Sequence, residues 1–372
     1  MRALVLVVML GCTSRGPCEP VVLAACPSCG PGNVLRGLSF ESHAQNAVVF
    51  ADGTIGLVST CNDLYELPAG HATGKAHAIV ASDSTADLVA TGTGDDVYAT
   101  GELDGVVSLY RSTEAGVSLW AAPINATEPT QLVAAPEGAY AIRMSLGTVT
   151  TTTAYGEDGA FRWTEQGLYY PDGSGGLLQI DGAQLGTTPA SVTVRSLDAS
   201  FGVRWTKTVT ASSDLWVRQP LVTASGATVV SGAFGGALDL GDATVSGGPN
   251  TGFVAELDAT GKTLWAYAIA NSFLVLAGDQ LVTLSLDTPY LPHSLTFDLF
   301  DSTGHVRADP VAFDVAGNVE QAVISMYGAP DGNVWLALTM SNSSDALLSY
   351  TFVIGSQHYS GGDAGLLLEL AP

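Results

Sequence analysis

The chain has 372 residues, 47% of them hydrophobic and only 13% charged, with 43 glycines. Its 36 acidic residues against 13 basic ones leave a net charge of −23, a surface that repels phosphate backbones and argues against nucleic acid as a partner. Few charges, many glycines, abundant Val, Thr and Ser, and no long apolar run of period 3.6 exclude a helical protein and point to a β-rich chain full of turns.

Residues 1–11, "MRALVLVVMLG", hold one cation, Arg2, and then an apolar run from Ala3 to Leu10. The run is far shorter than the about 20 residues a spanning helix needs and has the make-up of the hydrophobic part of an export signal. Its ending at Gly11-Cys12 resembles the bacterial lipobox, and the resemblance implies that Cys12 becomes the lipidated amino terminus. Several acyl chains on one cysteine give stable anchoring, at about 0.8 kcal/mol per buried CH₂. Ordinary secretion, with Cys12 incidental, is the competing reading. The expected address is the cell envelope, at the outer membrane or cell surface, with the membrane touched through the lipid anchor only.

Residues 12–32 read as a tether. Cys18, Cys26 and Cys29 lie in its Pro- and Gly-rich run "GPCEPVVLAACPSCGPGN", and Cys61 falls inside the first repeat. With Cys12 set aside, an even count in an exported chain points to two disulfides of open connectivity. At least one is expected to staple the tether to the domain. The rival reading of "CPSC", a redox pair or half a metal site, lacks a second CxxC, a βαβ context and a nearby His at ligand spacing.

From residue 33 onward one hairpin is written repeatedly. Turns such as "FADGTIGLVS", "TASGATVVSGA" and "APDGNVWLAL" begin seven repeats, and a second set of turns carries Gly74, Gly116, Gly159, Gly202, Gly261 and Gly304. These glycines recur about every 43 residues, with one longer interval between Gly202 and Gly261, which is the size of a four-stranded propeller blade. Gly supplies the positive φ of a tight hairpin. Trp120, Trp163, Trp205 and Trp265 follow, each able to wedge between neighbouring units and bury about 150–250 Å². Asp158, Asp198, Asp258 and Asp301 are placed to bond turn amides. The last repeat, "SGGDAGLLLELAP", breaks off before its Trp strand, and "NVLRGLSF" at 33–40 has the length and character to replace it. The expectation is one all-β domain over 33–372: a seven-bladed β-propeller closed by an N-terminal strand that completes the C-terminal blade.

The stretch 226–269, ending "FVAELDATGKTLWAYAI", is similar to the SBBP repeats of bacterial surface proteins. "ELDATGKTLW" also resembles the tryptophan-docking close of PQQ-type quinoprotein propellers, with Asp258, Thr260, Gly261, Lys262 and Trp265 in its places. Both resemblances imply a propeller; the close is itself structural and implies no cofactor.

Chemistry is sparse. A quinoprotein of that type would need adjacent cysteines, and no cysteine follows Cys61. "SLDASFGVRW" resembles the Asp box of sialidase-like propellers with two extra residues, but Arg143, Arg195, Arg204 and Arg218 would have to be gathered by the fold. The histidines are scattered, with no HExxH or GxSxG; His71 and His77 flank a turn. "GGALDLGDAT" and "FDLFDSTG" hold close-set Asp residues, oxygen ligands that Ca²⁺ would use, without a calcium-loop pattern, so turn chemistry is the preferred reading. No catalytic residue, no metal ligand and no cofactor is assigned, Ca²⁺ being the single alternative. The expected function is non-catalytic binding or scaffolding by a monomer with a protein or glycan partner at the envelope. An outer-membrane protein assembly factor is the alternative, from resemblance to the propeller lipoprotein of the barrel-assembly machinery; a quinone-dependent or glycan-acting enzyme is the third reading. The loops "LSLDTPYLPHSLTF" and "VAFDVAGNVEQAVI" and the aromatics Tyr169, Tyr170 and Tyr290 are the candidate contact surface.

Overall fold

A computed structural model describes residues 21–23, 34–41, 46–50, 52, 54–58, 63–67, 75–78, 85–91, 96–103, 106–113, 117–124, 129, 131–135, 137–143, 150–182, 191–249, 251–269, 272–277, 280–286, 294–300, 304, 306, 311–316, 321–328, 332–341, 350–354, 357–361 and 364–370. The export signal, Cys12, Cys18, Cys26, Cys29, Cys61, Gly74, Gly116, Asp301 and Tyr290 lie outside them, as do residues 287–293 and 317–320 of the two candidate loops. No helix among the described residues is long and apolar enough to cross a membrane.

The described residues form seven sheets, numbered I to VII in chain order. Sheet I holds Asn46–Val49, Ile55–Val58, Asp63–Leu67 and Lys75–Ala78; sheet II holds Thr85–Thr91, Val97–Leu103, Val106–Ser112 and Ser118–Pro123. Sheet III holds Gln131–Ala135, Gly138–Arg143, Thr151–Gly156 and Phe161–Gln166; sheet IV begins with Leu168–Pro171, Leu177–Asp181, Ser191–Leu197 and Val203–Ala211. In sheet V a first strand broken into Leu215–Val217 and Leu221–Val222 is followed by Thr228–Phe234, Thr251–Leu257 and Thr263–Ile269. Sheet VI contains Ser272–Ala277, Gln280–Leu286, Ser294–Phe300 and Val311–Ala316, and sheet VII contains Gln321–Gly328, Val334–Ser341 and Ala364–Leu370. Strands consecutive in sequence lie side by side because short turns join them, and neighbouring strands can pair with no crossover.

Two hairpins extend sheets IV and VI beyond four strands, and an N-terminal strand supplies the fourth of sheet VII. The hairpin Ala237–Asp239/Thr244–Ser246 joins sheet IV through Thr210↔Asp239 and Ala211↔Leu238. Tyr350–Ile354/Gln357–Gly361 joins sheet VI on Val311–Ala316. The N-terminal strand Val34–Glu41 pairs antiparallel with Ala364–Leu370, from Val34↔Leu370 to Glu41↔Ala364, and Val21–Leu23 pairs with its far side.

These facts correct the expectation of a closed seven-bladed ring. Among the described residues each sheet is an open array, none closes into a barrel or ring, and strand number runs from four to six. The chain also divides into two compact units, one of Met1–Ala86, Phe273–Phe300 and Val306–Pro372, the other of Asp87–Ser272 and Asp301–His305. The physical reason is that a repeated hairpin pattern is a local signal. It specifies strands and turns, whereas closure depends on how sheets lie on one another, and long connections add strands that the period does not announce.

The core of the second unit shows why its strands form. In Val203–Ala211, Trp205, Lys207 and Val209 are buried while Arg204, Thr206 and Thr208 are exposed, the period-two alternation of a strand with one packed face. Thr228–Phe234 is buried throughout, matching its near-continuous apolar sequence. Leu178, Ile180, Val192, Val194, Trp205 and Val209 on one face of sheet IV share a cluster with Val230, Phe234, Phe253 and Leu257 of sheet V.

Candidate functional site

The Trp-bearing strands of sheets II to V carry one device. Each pairs with its neighbour through a bulge just before the tryptophan, at Trp120, Trp163, Trp205 and Trp265. A bulge bends the strand and re-aims the side chain that follows, and here it delivers each indole to the next turn along the chain. A Cβ on Gly159 would lie 2.7 Å from the Trp120 ring, and one on Gly261 would lie 2.9 Å from that of Trp205; Trp265 covers Gly304 in the same way. Gly159, Gly261 and Gly304 have φ of 78°, 81° and 79°. Only glycine meets both demands, a left-handed backbone and an indole where a side chain would be. The Trp120 indole N–H also donates to the Glu157 carbonyl at 2.8 Å, and Arg111 joins Asp96 to Glu157 across the same junction.

The fourth turn differs. Its left-handed residue is Phe201, with φ 63°, one position before Gly202. Gly202 closes the turn instead, donating to Asp198 Oδ1 at 2.8 Å and accepting from the Asp198 N–H. Asp158 and Asp258 bond the amides of Ala160 and Thr260 in their own turns. Asp258 is held below the usual carboxylate range by the Thr260 hydroxyl and the turn N–H groups.

Polar groups meet where the first strands of sheets III, IV and V converge. The Gln131 side-chain amide donates to Gln219 Oε1, and the Tyr170 hydroxyl lies 3.5 Å from Gln131 Oε1. Residues 218–220 are the break in the first strand of sheet V: Arg218 N–H still donates to Ser231 at 2.8 Å, and Pro220 has no N–H to give. The Arg218 guanidinium stands 4.4 Å over the Trp216 ring. Burial pulls that guanidinium down to about 10, still cationic at neutral pH, and burial pushes the Tyr170 phenol well above its usual range. The meeting of Gln131, Gln219 and Tyr170 therefore offers amides and a protonated phenol, groups that can hold a ligand. Sequence reading missed Gln131 and Gln219, since nothing local marks a glutamine that meets its partner 88 residues away.

Other expected residues are dispersed. Arg195 pairs with Asp181, Arg204 with Asp172 and Arg218 with Trp216, so these three arginines are not gathered at one point. Of the candidate contact aromatics, Tyr169 and Tyr170 are core tyrosines, buried at 7% and 3% exposure. In "GGALDLGDAT", Asp239 accepts the Gly241 N–H, and Asp242 takes Lys207 at 2.5 Å and the Thr263 N–H at 2.9 Å. Among the described residues no group of three or more His, Cys, Asp or Glu is placed to hold a metal.

No protein-family model and no curated protein matches the sequence. Solved structures do. The Cps50 (Swd1) β-propeller domain of Myceliophteria thermophila superposes at a TM-score of 0.52 and 9% identity, over 92% of this chain and 100% of that one. The fold is propeller-like. The WD40 repeats of RRP9 match at 0.50 and 8% identity, over 90% and 97% of the two chains. BamB from Moraxella catarrhalis is more loosely similar, at 0.42 and 12% identity over 93% of each chain, and bears no weight here. At such identities the likeness concerns the fold alone.

Proposed function

We propose that this protein is an envelope-anchored, non-catalytic binding or scaffolding lipoprotein: residues 1–11 an export signal, Cys12 the lipid anchor, 12–32 a disulfide-stapled tether, and the propeller-like sheets from residue 33 the binding body. The observation that carries the binding role is the meeting of Gln131, Tyr170 and Gln219 from three successive sheets; next to Gln219 in the chain, Arg218 lies over Trp216. Arg and Trp dominate the energy of protein interfaces, and amides fix orientation. A phenol kept protonated by burial donates and does not act as a base.

The test is a photoreactive residue in place of Gln219, with one in place of the exposed Leu264 as control, in intact cells. A single discrete adduct at 219 and none at 264 is the expected result; no adduct at 219, or the same one at both, removes the reading. Outer-membrane protein assembly is one form such scaffolding takes, and a barrel-assembly component as the captured partner would identify it. For the anchor, labelled palmitate should enter the chain and be absent from Cys12→Ser, which should leave the membrane fraction.

A further inference from the structure

Sheets III and IV pack through an apolar floor of Ala135, Tyr140 and Ala154 against Tyr169, Leu177 and Leu197. Beyond that floor the wall of sheet IV turns polar. Tyr169, Gln179, Arg195 and Thr206 stand opposite one another across its four strands, and Asp181 and Thr193 lie in the next row on the same face. Gln179 Nε2 donates to the Tyr169 hydroxyl at 3.0 Å and to Asp181 at 3.2 Å; Arg195 donates to Gln179 Oε1 at 3.1 Å and pairs with Asp181. Gln179, Arg195 and Asp181 are half-exposed, whereas the other face of the same strands is apolar and closed. On the facing wall Glu165 is exposed, two residues beyond Trp163 and on the same side of its strand.

Phe201 sits at the Tyr169 end of this row. It is the one described non-glycine residue with positive φ, in a turn position held by glycine at Gly159, Gly261 and Gly304. A left-handed backbone costs an L-residue about 1–2 kcal/mol, yet the Phe201 ring stays 38% exposed. It stands edge-on to Trp163 at 5.3 Å and to Tyr169 at 6.1 Å. Strain kept for a side chain that is not fully buried points to a use outside the core.

We propose that this polar row, with Phe201 at its edge, binds a neutral saccharide chain. Exposed ring surface beside a row of amide, guanidinium, carboxylate and hydroxyl groups suits a ligand with apolar C–H faces and many hydroxyls. The row presents both donors and acceptors, so sugar hydroxyls can exchange with the bonds the row makes to itself. Arg195 is already paired with Asp181, and the exposed Glu165 of sheet III adds a negative charge, so an anionic polymer is disfavoured. A wholly apolar peptide would cover the row and leave its groups unsatisfied.

The site is separate from the Gln219 cluster, and the two readings can fail independently. Detergent-solubilised full-length protein is titrated with cellotetraose, maltotetraose, chitotetraose and polygalacturonate, followed by tryptophan fluorescence and calorimetry. At least one neutral tetrasaccharide should bind with a Kd of about 0.1–1 mM, and Gln179→Ala and Arg195→Ala should each weaken it about tenfold. Phe201→Gly should hold or raise the melting temperature while weakening binding about fivefold, a separation that a purely structural ring would not give. Binding of polygalacturonate alone, no saturable binding up to about 5 mM, or binding indifferent to all three substitutions would overturn the proposal.

Discussion

Gly261 and Phe201 occupy the same place in successive turns, and their contrast makes the cost of a side chain there measurable. At Gly261 a Cβ would meet the Trp205 ring on a backbone at φ 81°. Gly261→Ala should therefore lose about 1–3 kcal/mol, read as a shift of the denaturation midpoint at unchanged m-value. Removing the partner is expected to be worse: Trp205 is 8% exposed, and Trp205→Ala should lose about 3–5 kcal/mol. Asp172 carries the clearest pH dependence. Burial disfavours its charged form, but the Ser174 N–H and hydroxyl, the Gly176 N–H and Arg204 outweigh that and hold the carboxyl below its usual range. A depressed carboxyl adds stability above its unfolded value and loses it as pH falls through the folded one. The melting temperature should therefore be level above about pH 5 and fall below about pH 4, with Asp172→Asn flattening the acid limb.

A hairpin that the period did not announce is held at the scale of the element. Ala237–Asp239 and Thr244–Ser246 extend sheet IV by only two residue pairs, so ladder bonds alone hold it weakly. Leu238, Leu240 and Val245 anchor it in the core, and Asp242 pins its turn to Lys207 and to Thr263 at the start of the last strand of sheet V. Burial opposes ionisation of Asp242, but Lys207 and Thr263 overcome it and hold the carboxyl far below its usual range. Asp242→Ala should cost about 1–2 kcal/mol, because Lys207 is left buried with no carboxylate beside it. Faster amide exchange confined to 237–246 is the result to look for. The sequence displayed "GGALDLGDAT" as close-set carboxylates, and turn chemistry was the right reading of Asp239. It did not show that Asp242 reaches Lys207 35 residues back, because that meeting is made when the added hairpin pairs with Val203–Ala211 within sheet IV.

For the whole molecule, the two ends and the net charge matter most. Val34–Glu41 covers one edge of Ala364–Leu370, a strand of sequence "AGLLLEL". Deleting 34–41 should lower the melting temperature by about 5 °C or more and promote self-association through the bared edge. A net charge of −23 makes the compact state repel itself. Raising ionic strength from about 10 mM to about 150 mM should stabilise the protein by a few degrees, since the screening length falls to about 8 Å.

What the amino-acid sequence determined by itself was everything that depends on neighbours along the chain: strands from period two, turns from Gly and Asp, a repeat of one hairpin, and the Trp that follows four of the six outer turns. Those features are short-range, so composition and spacing carry them. Tertiary structure alone decided that the sheets stand as open arrays in two compact units, that two hairpins add to sheets IV and VI, and that Phe201 and not Gly202 takes the left-handed place. It also brought Gln131, Tyr170 and Gln219 together, and Gln179, Arg195 and Asp181. The reason is the same in each case: side chains far apart in the chain meet only when sheets stack, and the energy of stacking is shared among many ordinary apolar residues that mark no position in the sequence.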